Sequence, residues 1–534
     1  MFWADRIADE IGSKLKDRIA AGPLVIRDEK TASGRVHVGS MRGAAIHGAI
    51  SEVLTERGIA NTFYWEINDF DPMDGLPVYL DEATYRPYMG KPLYTIPSPD
   101  LPTGQAGGKA KNYAEYFAQE FTNVIEEAGF HPQYYRASEL YFSGRMNGVI
   151  RAALLHAETI RRIYKEVSGG EREESWLPLS VICENCGKIG TTRATLFDGE
   201  QVTYECGNFV DWAKGCGHKG TVSPFDGNAK LPWKVEWAAK FKVMNVAVEL
   251  AGKDHYTKGG SREIAERISR EVFEYEPPWG TLYEFFLVGG KKMSSSKGAG
   301  SSAREIADLL PPHIFRLALL GKEIRQTVDF EPAGDTIPVL FDTYDRLAEH
   351  YFEGERDDQS RLFLFVHFPE ERKKLAPVFH VRFSQVVFLV QMPHLDIFEE
   401  AAHIKGSPLT DEEREDLKER SQYAKKWLDA HAPEEYKFEL QKDAVPEGAR
   451  NFSPEIKNAF GEVLRYIVAS KTLDGQELHT KLHEIRKESG VEAGPFFGAL
   501  YQSFLGKNSG PKAGWFLSVL DHDFLTKRLE EVSN

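Results

Sequence analysis

The sequence has no apolar run long enough to cross a bilayer, and its opening, MFWADRIADEIGSKLKDR, is an amphipathic mixture of charges without a signal-peptide apolar region. A cytoplasmic protein that meets no membrane is the expectation. Cysteine is scarce: four residues in 534 cannot make a disulfide framework, and all four fall between positions 183 and 216. Positive charge is not in excess either. The 66 Lys and Arg face 81 Asp and Glu, a formal net charge of −15, which argues against a generic nucleic-acid coat but leaves room for a local phosphate-binding surface. No HExxH pair occurs, so the ligand set of that class of zinc hydrolase is missing.

What is present begins with the turn Thr31-Ala32-Ser33-Gly34-Arg35-Val36-His37-Val38-Gly39-Ser40. It lies between an apolar strand pattern at 23–26 and a helical one at 37–57, in which Val38, Met41, Ala45, Ala49 and Val53 share a face. A glycine-rich turn feeding a helix N-terminus offers amides and the positive end of the helix dipole to a phosphate; a plain connection is the other reading. Gly58 ends the helix, and the β-forming NTFYWEI at 61–67 reads as a second strand. The result is a βαβ unit with parallel strands. In the loop that follows, Asp69, Asp71 and Asp74 either hold a cation or amine, or belong to an ordinary Asp/Pro/Gly turn.

Residues 77–108 are proline-rich and irregular, as at the border of a site or an insertion. Helical patterns resume at 112–128 and 143–167. The second carries Arg145, Arg151, Arg161, Arg162 and Lys165, a face that either follows an RNA backbone or is simply solvated. The CxxCG knuckle of Cys183 and Cys186, with Cys206 and Cys216 downstream, supplies the four soft ligands of a closed, structural Zn²⁺ site. His218 is the one nearby substitute, and a redox pair is disfavoured without a thioredoxin-like βαβ context.

Further on, Trp233, Trp237 and Phe241 recur at helical spacing. A strand pattern at 246–250 runs into Gly252-Lys253-Asp254-His255, a polar turn at a strand's carboxyl end, before a helix from about Ser261. A strand pattern at 282–288 then precedes Lys291-Lys292-Met293-Ser294-Ser295-Ser296-Lys297-Gly298. Such a run is either a linker or a mobile cationic loop that closes over a pyrophosphate leaving group.

His37 to Ser40 resembles the HIGH signature, and Lys292 to Ser296 the KMSKS signature, of class I aminoacyl-tRNA synthetases. Within that class the chain most resembles class I lysyl-tRNA synthetase, through DFDPMDGLP at 69–77, GKPL at 90–93, LPWKVEW at 231–237, GKDH at 252–255 and DFEPAGDTIPVLFDTYDRL at 329–347. The resemblance implies an α/β fold: a Rossmann-like parallel-sheet catalytic domain with a zinc-bearing insertion, then an all-α anticodon-binding region. The implied division is catalytic at 1–110 and 226–300, insertion at 111–225 with the zinc module at about 180–222, a helical stem and bundle at 301–440, and a C-terminal helical domain at 441–534.

The resemblance further implies ATP, Mg²⁺ and structural Zn²⁺ as cofactors, and lysine and tRNA(Lys) as partners of a monomeric lysine–tRNA ligase. Gly34, His37, Gly39 and Ser40 are then placed against ATP, with Gly252, Asp254 and His255 on its adenosine side. Lys292, Met293, Ser294, Ser295 and Lys297 fall to its pyrophosphate, His37, Lys292 and Lys297 being the catalytic candidates. For the amino acid the candidates are Asp28, Thr31, Trp233, Glu236 and His255, with Glu236 or Asp28 against the lysine ammonium. The chain departs from the signatures at Ser40 and at Ser295, where Lys297 stands in for a second lysine. A glutamate or arginine enzyme, or a catalytically silent RNA-binding paralogue, is the alternative; the presence of His37 and the lysine run favours an enzyme.

Overall fold

The computed structural model describes residues 1–99, 110–290, 301–392, 395–470 and 472–534. At its centre are four parallel strands: β1 (Leu24–Thr31), β2 (Asn61–Asn68), β3 (Gln133–Arg136) and β4 (Val246–Val248), in the spatial order β3–β2–β1–β4. β1 and β2 are in register from Leu24 opposite Asn61 to Thr31 opposite Asn68. The helix between them, α1 (Met41–Glu56), is buried over most of its length, and its small residues let it settle close to its neighbours. A side chain at Gly43 would stand 2.3 Å from a carboxylate oxygen of Asp28. The chain fills one side of β1 with β2 and β3, then returns on the other side with β4. That reversal opens a crevice at the carboxyl ends of β1 and β4, where open α/β sheets hold ligands.

Several segments differ from the sequence patterns. β1 extends through the charged residues to Thr31 because Arg27 is fully buried against carboxylates of β2 and of the chain after β4. The helical pattern at 143–167 is two helices, Asn147–Leu155 and Ala157–Ser168, which part at His156. The pattern at 282–288 divides into Leu282–Tyr283, paired with Ala251–Gly252, and Phe286–Val288, paired with Val328–Phe330. The irregular segment after position 77 contains a short helix, Glu82–Tyr85, and two single turns.

The chain divides into two compact units, residues 1–331 with 343–376, and residues 332–342 with 377–534. The first holds the sheet, the helices α2 (Tyr113–Glu127), α3 (Trp233–Val243) and α4 (Ser261–Glu271), and a small antiparallel sheet of Thr192–Phe197, Val202–Cys206 and Lys219–Val222. The second is helical throughout its described residues, around a core that includes Phe460, Leu482, Phe496, Leu500, Phe516 and Leu525.

Candidate active site

A cavity of about 470 Å³ opens at the reversal point of the sheet. The end of β1 contributes Asp28, Glu29, Lys30 and Thr31, and the turn after it contributes Ser33, His37, Gly39 and Ser40. Facing them are Glu249, Gly252, Asp254 and His255 from the chain after β4, Trp233 and Trp237 of α3, and Tyr283, Phe285, Phe286 and Leu287. The two turns singled out in the sequence therefore form opposing walls of one cavity. Gly34 is buried and does not line it.

Val38–Ser40 forms a single 3₁₀ turn before α1, and the Ser40 amide donates to the His37 carbonyl at 3.0 Å. The Ser40 amide is thus already bonded. Gly39 has no room for a side chain: a Cβ there would lie 2.9 Å from His37 Nδ1 and 3.1 Å from the Phe286 carbonyl. Lys292, Met293, Ser294, Ser295 and Lys297 lie outside the described residues. The residues flanking that run are placed at the cavity. Phe286 and Leu287 line it, while Ser301 and Ala303 bond to the HVGS turn, the Val38 amide donating to Ser301 O at 3.2 Å and the Ala303 amide to Val36 O at 2.8 Å.

Opposite, His255 Nδ1 meets Ser261 Oγ at 2.8 Å, and its ring packs edge-on against Trp233 and Trp237 at centroid distances of 6.0 and 5.4 Å. Trp237 is buried, whereas Trp233 is 47% exposed. A second cavity, of about 490 Å³, shares Glu29, Thr31, Ser33 and Trp233 with the first and continues past Asp71, Asp74 and Lys230 to Gly190 and Trp212 of the cysteine-bearing segment. Asp71 pairs with Lys230 at 2.9 Å and accepts from Thr31 Oγ1 at 2.8 Å. Asp69 is turned away, accepting from both the amide and the hydroxyl of Ser138.

Beneath the cavity floor lies a network of buried charge. Arg27 bonds Glu29, Glu66 and Glu249; Lys240 bonds Glu66 and Glu236; Lys230 bonds Glu236 and Asp71. Burial pushes the Glu66 carboxyl up, but Lys240 and Arg27 outweigh it and hold it at about 2. For Glu29 the balance is the reverse: burial, reinforced by Glu66 and Glu236, keeps its carboxyl above the ordinary range despite Arg27 and Lys240. Three cations thus face five carboxylates, Glu29, Glu66, Glu236, Glu249 and Asp71. Taken as ionised, the network carries two surplus negative charges, and Glu29 and Glu249 are its members that line the first cavity.

The two carboxylates singled out for the lysine ammonium are placed differently. Glu236 is 2% exposed, does not line the cavity, and is already held by Lys230, Lys240 and the Tyr141 hydroxyl at 2.8 Å. Asp28 lines the cavity but lies 3.2 Å from His47 Nδ1. Glu29, Glu249 and Lys30 were not among the candidates read from the sequence. Lys30 lines the cavity without an ion pair among the described residues, and burial holds its ammonium below its usual value. The basic face at 143–167 also proves to be committed within the protein: Arg145 to Val243 O, Arg151 to Gly199 O, Arg161 to Trp176 O, Arg162 to Glu271 and Lys165 to Glu171.

The ligand sulfurs of Cys183, Cys186, Cys206 and Cys216 all lie within 4.8 Å of one another, with 3.6 Å between Cys183 and Cys216 and 3.7 Å between Cys186 and Cys206. A tetrahedron with metal–sulfur distances of about 2.3 Å has edges of about 3.8 Å, so the sulfurs are already spaced for one ion. The Cys216 amide and the Thr191 hydroxyl approach the Cys206 sulfur at 3.4 and 3.2 Å, contacts that favour a thiolate there. His218 is not part of the group.

Residues 1–377 match the family described as tRNA synthetases class I (K). A lysine–tRNA ligase of Methanosarcina barkeri (strain Fusaro / DSM 804) is 34% identical over 552 aligned residues, covering 100% of this chain and 98% of its own. One of Archaeoglobus fulgidus is 33% identical over 538 residues, covering 99% of each. Among solved structures, a glutamate tRNA ligase from Elizabethkingia meningosepticum aligns over 96% of this chain and 99% of its own, at 12% identity and a TM-score of 0.42.

Proposed function

Because the chain belongs to the class I tRNA synthetases of the lysine (K) family, we propose that it is a lysine–tRNA ligase whose catalytic centre is the cavity between the HVGS and GKDH turns. The observation that carries the substrate is the charge imbalance under the cavity. A ligand ammonium offsets surplus carboxylate, whereas glutamate's side chain would add to it. Glu29 is the ligand we assign to the lysine ε-ammonium, with Trp233 and Trp237 as apolar walls for the aliphatic stem.

In the first step the lysine carboxylate attacks the α-phosphorus of ATP; the new acyl–phosphate P–O bond forms as the bond to pyrophosphate breaks. In the second, the terminal ribose hydroxyl of tRNA attacks the adenylate carbonyl and AMP leaves. No protein nucleophile takes part. The protein aligns two anionic reactants and stabilises charge developing on the phosphates. His37, Gly39, Ser40 and Lys30 form the phosphate wall, Gly252, Asp254 and His255 the adenosine wall, and Lys292 and Lys297 meet the pyrophosphate. Mg²⁺ bound with ATP would neutralise charge on its phosphates. The four cysteines would hold Zn²⁺, which would pin the turns of the inserted segment. The helical second unit takes the tRNA, and the enzyme works as a monomer in the cytoplasm.

ATP–pyrophosphate exchange with each of the twenty amino acids, with and without tRNA, tests this reading. Exchange with lysine alone is expected; exchange with glutamate or arginine instead, or with none, overturns it.

A further inference from the structure

The second cavity, of about 490 Å³, has no part in the steps above. It opens off the first at Glu29, Thr31, Ser33 and Trp233, the wall to which the lysine ε-ammonium is assigned, and runs on past the loop after β2 to the cysteine-bearing segment. Its further walls are largely apolar, with Pro72, Ile189, Leu231 and the indole of Trp212. That indole is held in place, because a Cβ at Gly190 would lie 2.5 Å from its ring and 3.0 Å from Pro72.

The polar groups of this cavity are mostly acceptors. Asp71 is committed to Lys230 at 2.9 Å, to the Thr31 hydroxyl at 2.8 Å and to Asn68 Nδ2 at 3.1 Å. Asn68 is 3% exposed, and its Oδ1 has no partner among the described residues. Asp74 is open to solvent and has no ion pair among the described residues, while partial burial and the neighbouring Asp71 raise its carboxyl above the ordinary range. Taken as ionised, Glu29, Asp71 and Asp74 against Lys230 leave the lining with two surplus negative charges, so an anion is disfavoured. A hard divalent cation fits poorly as well, since the Lys230 ammonium already stands 2.9 Å from Asp71 and much of the remaining wall is indole and aliphatic. An alkylammonium suits both parts: its charge meets the acceptors and its stem the apolar wall.

Resting on the lysine-ligase reading above, we propose that the second cavity admits lysines lengthened at Nε by a group ending in an ammonium, such as an Nε-aminoacyl-lysine. Glu29 accepts from the Nε–H, and Asp74, beside Asn68 Oδ1, receives the terminal ammonium. The α-carboxylate lies where that of lysine does and attacks the α-phosphorus of ATP in the same way, the acyl–phosphate P–O bond forming as pyrophosphate leaves.

The test uses the full-length protein and its Asp74→Asn variant. Nε-glycyl-L-lysine is the probe, and Nε-acetyl-L-lysine, which has the same amide but no terminal ammonium, is its match. ATP–pyrophosphate exchange is read at varied concentrations of each, and the activated acid is trapped with hydroxylamine and identified by mass, so that free lysine in the probe does not count. Nε-glycyl-lysine is expected to be activated with a KM about tenfold below that of Nε-acetyl-lysine. Asp74→Asn is expected to raise the KM for Nε-glycyl-lysine about fivefold. The KM for lysine and the thermal midpoint stay at their wild-type values in that variant. Absence of the Nε-glycyl-lysine hydroxamate from protein that forms lysine hydroxamate overturns the proposal, as does equal use of the two probes, or a KM for Nε-glycyl-lysine unchanged in Asp74→Asn. Protein that forms no lysine hydroxamate contradicts the ligase reading instead, so the two failures are distinguishable.

Discussion

Replacing Glu29 by Gln removes one of the two surplus negative charges beneath the cavity while keeping the side chain's shape. The carboxylate is 32% exposed, so an ammonium about 4 Å away gains roughly 4 kcal/mol at an effective dielectric constant of about 20, and less after allowance for water at the rim. A loss of about 2–3 kcal/mol is the expectation, which is roughly a 30- to 150-fold rise in the KM for lysine. ATP binding is expected to change little, because the phosphate wall lies mainly at the HVGS turn and loses none of its own groups. The fold is not weakened, since burial and the nearby Glu66 and Glu236 already disfavour charge on Glu29. The same raised pKa gives a sign to the pH dependence: as pH falls, Glu29 protonates sooner than an ordinary carboxylate, and lysine KM climbs from a higher pH in wild type than in Glu29→Gln. The assay is ATP–pyrophosphate exchange at varied lysine and varied pH. A lysine KM within twofold of wild type, or an ATP KM that rises in parallel, refutes the assignment.

The remaining expectations concern the charge network, the phosphate wall and the cysteines. Glu66→Gln breaks a fully buried network and is expected to cost about 3–5 kcal/mol, read as a lowered midpoint in denaturant unfolding. In wild type the Glu66 carboxyl is held down, so its stabilising contribution is complete above about 4.5, the ordinary range, and is lost as pH falls toward about 2; an acid-unfolding series reads this directly. His37→Ala is expected to slow exchange by about 100-fold without changing the thermal midpoint. Chelation with a strong zinc chelator releases one Zn²⁺ per chain, and Cys183→Ser leaves protein with substoichiometric zinc, both measured by metal analysis.

The βαβ unit, the HVGS and GKDH turns and the cysteine cluster were legible because each rests on local chemistry. Alternating or helical apolar spacing shows in a single stretch, and glycine beside a polar turn marks a strand's end. The sulfurs converge as their sequence clustering implies. The surroundings of Glu236 and Glu29 were not legible, because burial and pairing are long-range properties. LPWKVEW places Glu236 next to two tryptophans, yet it is Lys230 and Lys240, converging from a short strand and from α3, that claim its carboxylate. The strand pattern in the sequence ends at 26, but parallel pairing with β2 continues through Arg27-Asp28-Glu29-Lys30, turns Arg27 inward onto Glu66 and leaves Glu29 at the cavity. The partners of the basic residues at 143–167 were hidden for the same reason, since carbonyls distant in sequence accept from Arg145, Arg151 and Arg161.

The most direct measurement is the charging of tRNA(Lys) by the purified protein with lysine, ATP and Mg²⁺, run beside identical reactions containing glutamate or arginine and their own tRNAs. Lysyl-tRNA formed with lysine alone, and lost in both His37→Ala and Glu29→Gln at limiting lysine, is the predicted result. Charging with glutamate or arginine, or lysyl-tRNA formation indifferent to both substitutions, contradicts a lysine-activating centre in this cavity.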